Sequence, residues 1–286
     1  MLNVIVPGLA IGALYAAAGI AYNVMFSTSK VLSISTGHLS MLGGIFGAFF
    51  IGQLGLPVVV GLVGAVAVGV AVGFLTEIVA VRRVLARSDE HLWLLSTLGL
   101  ATIIQQAIGL WWGTEPRPFP RVIPQDFTAG LWDQKFWLPV VALLIIAAGM
   151  ELFVRKTMLG KVFVAVSEDA FAARARGIAT DRIRALSYAL AGGVGAFAGF
   201  AAGQLTYAYF AVGLILTLNG FIALAVGGLG STIGAVIGGL ALGLLTSLAT
   251  ALVGGQYVNT VAIGLLMLVL LVKPEGMFGA KKVRSV

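Results

Sequence analysis

The chain has 286 residues, 59% of them hydrophobic and 10% charged, with a mean hydropathy of +1.05. A soluble domain carries roughly 25% charged residues, so the composition specifies an all-α polytopic membrane protein built as a single integral domain; its segments do not alternate as barrel strands do. The lack of cysteine excludes disulfides, thiolate metal sites and a cysteine nucleophile, and the net charge of +7 is scattered over loops, which argues for membrane orientation and against a nucleic-acid partner.

Residues 4–26 form the first stretch long enough to span. With neither a basic leading region nor a small-residue cleavage site, it reads as a retained helix. Residues 31–51 are apolar but broken near their start by Ser33-Ile34-Ser35-Thr36-Gly37-His38. Residues 56–81 span and end on Arg82, Arg83 and Arg87; residues 92–112 span and lead into a Pro- and Trp-containing loop, 113–135. Residues 136–154 span, and the polar segment 155–182 follows. Residues 183–204 span, with Thr180-Asp181 as a helix cap. Residues 213–228 are short and interrupted at Asn219-Gly220, and 231–253 and 258–272 close the series. These nine segments, two of them short or broken, predict about eight to nine transmembrane segments.

The segment 155–182 is the longest polar stretch. Within it, Ser167 to Gly177 reads as one short helix. Ser167 caps the free N–H groups, Glu168 and Asp169 lie at the positive end of the helix dipole, and Arg174 and Arg176 lie at the negative end. Gly177 takes the left-handed conformation that stops the helix. Phe171, Ala172 and Ala175 share one face. Two readings stand: a handle for a soluble partner, or a solvated loop helix.

With this loop in the cytoplasm, 15 of the 18 Lys and Arg residues fall inside and only Arg117, Arg121 and Lys135 outside. The N-terminus is then outside and the C-terminus inside. The run helix, broken helix, helix, helix occurs in residues 1–112 and again, inverted, in 183–272. Inverted repeats with broken helices mark transporters and place the pathway at the breaks. The breaks are Ser33–His38 and Thr217–Gly220; the alternative is a pair of Gly kinks repacked by neighbouring helices. A break at Ser33–His38 leaves free N–H groups with Ser35 or Thr36 as cap, a terminus suited to a negative or strongly polar group. Ser33, Ser35, Thr36, His38, Ser40, Thr217 and Asn219 are the expected pathway residues.

Glycines recur four apart at Gly8/Gly12, Gly69/Gly73, Gly195/Gly199/Gly203, Gly234/Gly238 and Gly239/Gly243, which permits close helix contact. Glu77 reads as reaching toward Arg82 at the interface. Gln105, Gln106, Tyr22 and Asn23 read as bonds across helices, and Trp111, Trp112, Trp132 and Trp137 as an aromatic belt. No phosphate-binding Gly-Lys-hydroxyl loop occurs, so ATP is not expected to bind this chain. His38 and His91 show no metal-ligand spacing, and no metal or cofactor is expected.

Three motifs carry a resemblance. They are Ala165-Val166-Ser167-Glu168-Asp169 with Ala173 and Gly177-Ile178; Gly227-Gly228-Leu229-Gly230-Ser231 with Gly234 to Gly239; and Lys273-Pro274-Glu275-Gly276-Met277-Phe278-Gly279. Over nearly its whole length the chain resembles the permease subunits of branched-chain amino acid ABC transporters, in the wider family of ribose-type sugar permeases. The resemblance implies a non-enzymatic import subunit of a bacterial-type plasma membrane. It also implies two cytoplasmic ATPases, a second permease (related or identical) and an extracytoplasmic binding protein. The first motif is the family's coupling segment, which gives Glu168, Asp169, Phe171, Arg174 and Gly177 the role of meeting the ATPase. The chain departs from the family where Asn-Phe-Ala-His-Gly-Glu is usual: Ser33 to His38 stand there, so a His replaces the usual acid. Thr246 replaces a second common acid. With the acid gone, a carboxylate, an amide, urea or an aromatic acid stays open as cargo beside an aliphatic amino acid. An ion-coupled carrier or channel is the reading of another class; it calls for an acid deep in a helix.

Overall fold

The computed structural model describes residues 1–85, 92–123, 133–274 and 276–279. Its regular structure there is helical, apart from one isolated antiparallel bridge between Arg117 and Ala208. Every apolar run is a helix because a backbone in hydrocarbon must satisfy its own hydrogen bonds. Helix α1 spans Leu2–Ser29. Helix α2 spans Thr36–Ala48 and continues as a π-helical turn, Phe49–Gln53. Helix α3 spans Val58–Thr76 and continues as the π-helical Glu77–Arg82. Helices α4, Leu92–Trp112, and α5, Gln134–Lys156, follow. The polar segment folds as α6, Met158–Glu168, and α7, Ala170–Ala175. Helices α8, Thr180–Ala201, α9, Val212–Gly227, α10, Thr232–Leu252, and α11, Val258–Val272, complete the order.

Among the described residues, seven helices are long and apolar enough to cross a membrane. The two other apolar segments are α2, with 13 residues before its π-turn, and α9, with 16. Helices α1 and α8 are the most buried of the long ones, and α11 the least. The glycine pattern explains the packing. A methyl built on Gly243 would overlap the Gly12 backbone, and one on Gly192 would overlap the carbonyl oxygen of Gly69. Helices α1 and α10, and α3 and α8, therefore touch backbone to backbone.

Several local expectations are corrected. Helix α6 runs on through Ser167 and Glu168, anchored by buried Phe163 and Val166. Ser167 Oγ donates to the Val164 carbonyl at 2.7 Å. The cap of the short helix is instead Asp169, whose Oδ1 accepts from the N–H groups of Phe171 and Ala172 at 2.8 and 2.9 Å. Helix α8 is entered through Ala179, without a side-chain cap from Thr180 or Asp181. Helix α9 is continuous through Asn219-Gly220: Asn219 Nδ2 donates to the Ile215 carbonyl at 2.9 Å, inside its own helix. The helical run is interrupted instead before α9, where Tyr207 has φ 55°. Trp112 is buried, and its indole N–H donates to the Ala208 carbonyl at 3.1 Å; it is a strut and not a belt residue. The expectations for Arg87, Asp89, Glu90, His91, Asp126, Trp132, Glu275, Lys281, Lys282 and Arg284 lie outside the described residues.

Candidate functional site

Chain direction changes at Lys30, whose φ is 56°. Residues 30–35 are non-helical, and α2 begins at Thr36. The expected cap residues act differently. Ser35 precedes the helix, but its Oγ pairs with Ser33 Oγ at 2.9 Å. Thr36 Oγ1 donates back to the Ser33 carbonyl at 2.8 Å. The first-turn N–H of Gly37, buried and without a partner in its own helix, donates at 3.1 Å to Thr217 Oγ1 of α9, 180 positions away. The same hydroxyl is 3.0 Å from the Ile34 carbonyl and 2.9 Å from the Gly213 carbonyl, its two possible acceptors. Thr217 thus fastens the non-helical stretch before α2 and the start of α2 to α9. There is no room for a side chain on Gly37, because a methyl there would overlap the Thr217 backbone nitrogen. Replacing Thr217 with valine is expected to lower stability by about 1–3 kcal/mol, since it leaves a buried donor and acceptor unpaired. Serine is expected to preserve the thermal midpoint in detergent, and equal midpoints for the two variants would show that the hydroxyl is idle.

The expected pathway residues Ser33, Ser35, Thr36, His38, Ser40, Thr217 and Asn219 are all buried. His38 Nε2 lies 3.3 Å from Gln105 Oε1 of α4, so this ring nitrogen donates to the amide oxygen. Its other face rests on Gly213, where an added methyl would come within 2.7 Å of the ring. Ser40 lies against α8, its carbonyl oxygen in the space a Gly199 side chain would need. Asn219 stays within its helix. Of the seven, only Thr217 lines the neighbouring cavity of about 350 Å³, with Tyr22, Leu32, Ile34, Trp93, Leu214 and Phe221 among its other walls. Thr246 lines a second cavity of about 350 Å³ together with Asn3, Tyr15 and Ser247, between α1 and α10.

The expected coupling residues form one exposed unit. Asp169 starts α7, and Gly177 ends it at φ 84°. Phe171 projects outward with 84% of its surface exposed, while Ala173 packs inward. Arg174 donates to Thr180 Oγ1 at 2.9 Å and sits 3.9 Å from Asp181, which fixes α7 to the start of α8. Glu168 belongs to the end of α6.

A polar chain leads from this unit into the membrane-spanning part. Asp181 pairs with Arg184 at 3.1 Å, and Arg184 Nε donates to Glu77 Oε1 at 2.9 Å. Glu77 is fully buried at the start of the π-helical turn and also holds Arg82 at 3.0 Å. On the other side, Lys30 Nζ donates to the Ser167 carbonyl at 2.7 Å, an ammonium at a helix C-terminus where the dipole favours it. Partial burial pushes the Lys30 ammonium below its ordinary pKa. Ser29 Oγ lies 3.2 Å from Tyr188 OH. Sequence reasoning found Arg82 beside Glu77 but missed Arg184, because the pair is 107 residues apart. Tyr207 carried no signal of its own. The closing motif has a visible place: Met277 and Phe278 N–H groups donate to the carbonyls of Val226 and Gly227, each at 2.9 Å, at the end of α9.

The family model described as branched-chain amino acid transport system / permease component matches residues 4–271. The chain is 30% identical over 297 residues to the high-affinity branched-chain amino acid transport system permease protein LivH of Escherichia coli, with 98% of this chain and 96% of that protein covered. It is 28% identical to the permease protein BraD of the corresponding high-affinity system of Pseudomonas aeruginosa, covering 100% of this chain and 98% of that protein. Among solved structures, it is similar to PsaBC from Streptococcus pneumoniae in complex with Fab, at a TM-score of 0.53 and 12% identity, covering 96% of this chain and 92% of that one. That likeness concerns the fold.

Proposed function

This chain belongs to the family of branched-chain amino acid transport permease components, and on that premise we propose that it is the membrane-spanning subunit of an ATP-driven importer for branched-chain or other small hydrophobic amino acids. The observation that carries the reading is Phe171, an exposed aromatic held on a helix capped at both ends and tied to α8. Such a rigid apolar knob fits a groove on a cytoplasmic ATPase, with Asp169 and Arg174 setting the orientation. Two ATPases, a second permease (related or identical) and an extracytoplasmic binding protein complete the assembly, surrounded by membrane lipid, with no nucleic acid involved. ATP hydrolysis belongs to the partner chains. In this reading the protein sits in the plasma (inner) membrane, N-terminus outside and C-terminus in the cytoplasm.

Residues 1–112 and 183–272 are the two inverted halves, joined through the coupling segment 155–182. In support, the two non-glycine residues with positive φ among those described, Lys30 and Tyr207, each stand five or six positions before one of the two short helices. The pathway runs along the apolar cavity at the first break, where Thr217 supplies a hydroxyl and leucine-type side chains meet apolar walls. Copurification of an ATPase and leucine uptake in vesicles test the reading. Phe171→Asp is expected to reduce uptake about 30-fold, the scale of an aromatic hot spot, with the chain still in the membrane. Gly177→Val is expected to act alike, because a β-branched residue resists positive φ. Unaltered uptake in both variants would make α7 an ordinary loop helix.

A further inference from the structure

At the end of the molecule that carries α7, helices α3, α6 and α8 enclose an open groove of about 590 Å³. Its walls are Phe74, Leu159, Val162, Ile183 and Leu186, and its only charged lining residue is Arg182. Phe74 and Leu159 are 44% and 54% exposed. On α8 the groove runs from Arg182 to Ala189, seven residues and therefore about 10 Å along the helix axis. A hydrocarbon leaflet is about 15 Å deep, half of the bilayer core. The groove thus has a basic mouth at one end and an apolar wall reaching well into a leaflet. Among the described residues Arg182 makes no ion pair, in contrast to Arg174 and Arg184 on either side of it in sequence, which hold Asp181.

We propose that this groove is a binding site for one anionic phospholipid of the adjoining leaflet, with the phosphate at Arg182 and an acyl chain laid between α3, α6 and α8. Charge complementarity selects the occupant. An apolar wall alone accepts any lipid, whereas an unpaired guanidinium at headgroup depth favours a lipid with net negative charge. The occupant would brace α6, which leads to the coupling helix, against α3 and α8. Binding does not depend on transport, so the site stands or falls apart from the importer reading.

The test is native mass spectrometry of the purified chain in detergent, titrated with phosphatidylglycerol or phosphatidylcholine of matched acyl chains. The wild type is expected to retain one phosphatidylglycerol in preference to phosphatidylcholine. Arg182→Ala is expected to lower that preference about fivefold. Leu186→Trp, which fills the groove, is expected to reduce retention of both lipids, and Arg176→Ala, on the exposed coupling turn, to change neither. Equal retention of the two lipids by the wild type overturns the proposal. So does an undiminished preference in a folded Arg182→Ala, including the case where that variant loses a copurifying ATPase and keeps the lipid.

Discussion

Glu77→Ala is expected to cost about 3–5 kcal/mol of stability, the scale of breaking one side of a buried ion pair. The carboxylate is fully buried and shared between two guanidinium groups, Arg184 at 2.9 Å and Arg82 at 3.0 Å. The two partners are not equivalent. The Arg184 side chain is only 12% exposed, so removal of Glu77 leaves its charge among packed helices with only the exposed Asp181 as partner, whereas Arg82, 43% exposed, reaches water by itself. Arg184→Ala is accordingly expected to be severe, because it leaves Glu77 with one partner at the edge. Arg82→Ala is expected to cost less than Arg184→Ala, because Arg82 is half-exposed and Arg184 still pairs with the buried carboxylate. The double variant Glu77→Ala/Arg184→Met is expected to recover most of the loss, because it buries no charge. Thermal midpoints in detergent measure all four. Equal losses from Arg82→Ala and Arg184→Ala would refute the asymmetry.

Gly199→Val is expected to separate α2 from α8 and to abolish uptake together with much of the stability. A side chain at Gly199 would occupy the position of the Ser40 carbonyl oxygen, and one at Gly43 that of the Ala196 carbonyl oxygen. The neighbour is backbone on both sides of the crossing, so no rotamer change relieves the overlap. Overpacking a close contact costs about 1–3 kcal/mol or more, and here the displaced helix carries His38 and the Gly37–Thr217 junction. Gly149→Ala is the control. Nothing lies within 4 Å of a methyl at Gly149, so the change is expected to be neutral or to stabilise α5 by up to about 1 kcal/mol. Similar midpoints and similar uptake in the two variants would rule out the interlocked crossing.

The sequence by itself determined the class, the apolar segments and the presence of a short helix in the polar segment ending before Gly177. Hydrophobic length is a local property, and a bilayer demands helices wherever it occurs. Gly177 was legible for a similar reason: a glycine after a short amphipathic run is a stop signal whatever surrounds it. The small-residue spacing also announced close helix contacts, though not which helices would meet. Tertiary structure decided the rest. Ser167 and Asp169 are both competent caps, and the choice fell to Asp169 because burial of Phe163 and Val166 carries α6 two residues further. Asn219-Gly220 looks like a break, yet the amide bonds to Ile215 one turn back, and Gly220 gives the room for Ala18 of α1 to approach. The real interruption contains Tyr207, a residue type with no preference for positive φ; the Arg117–Ala208 bridge and the Trp112 indole hold the backbone there from outside the segment. Thr217 caps α2, and Arg184 neutralises Glu77, across 180 and 107 residues. A buried polar group must find a partner, but which partner it finds depends on how the helices pack, and no periodicity along the chain encodes that.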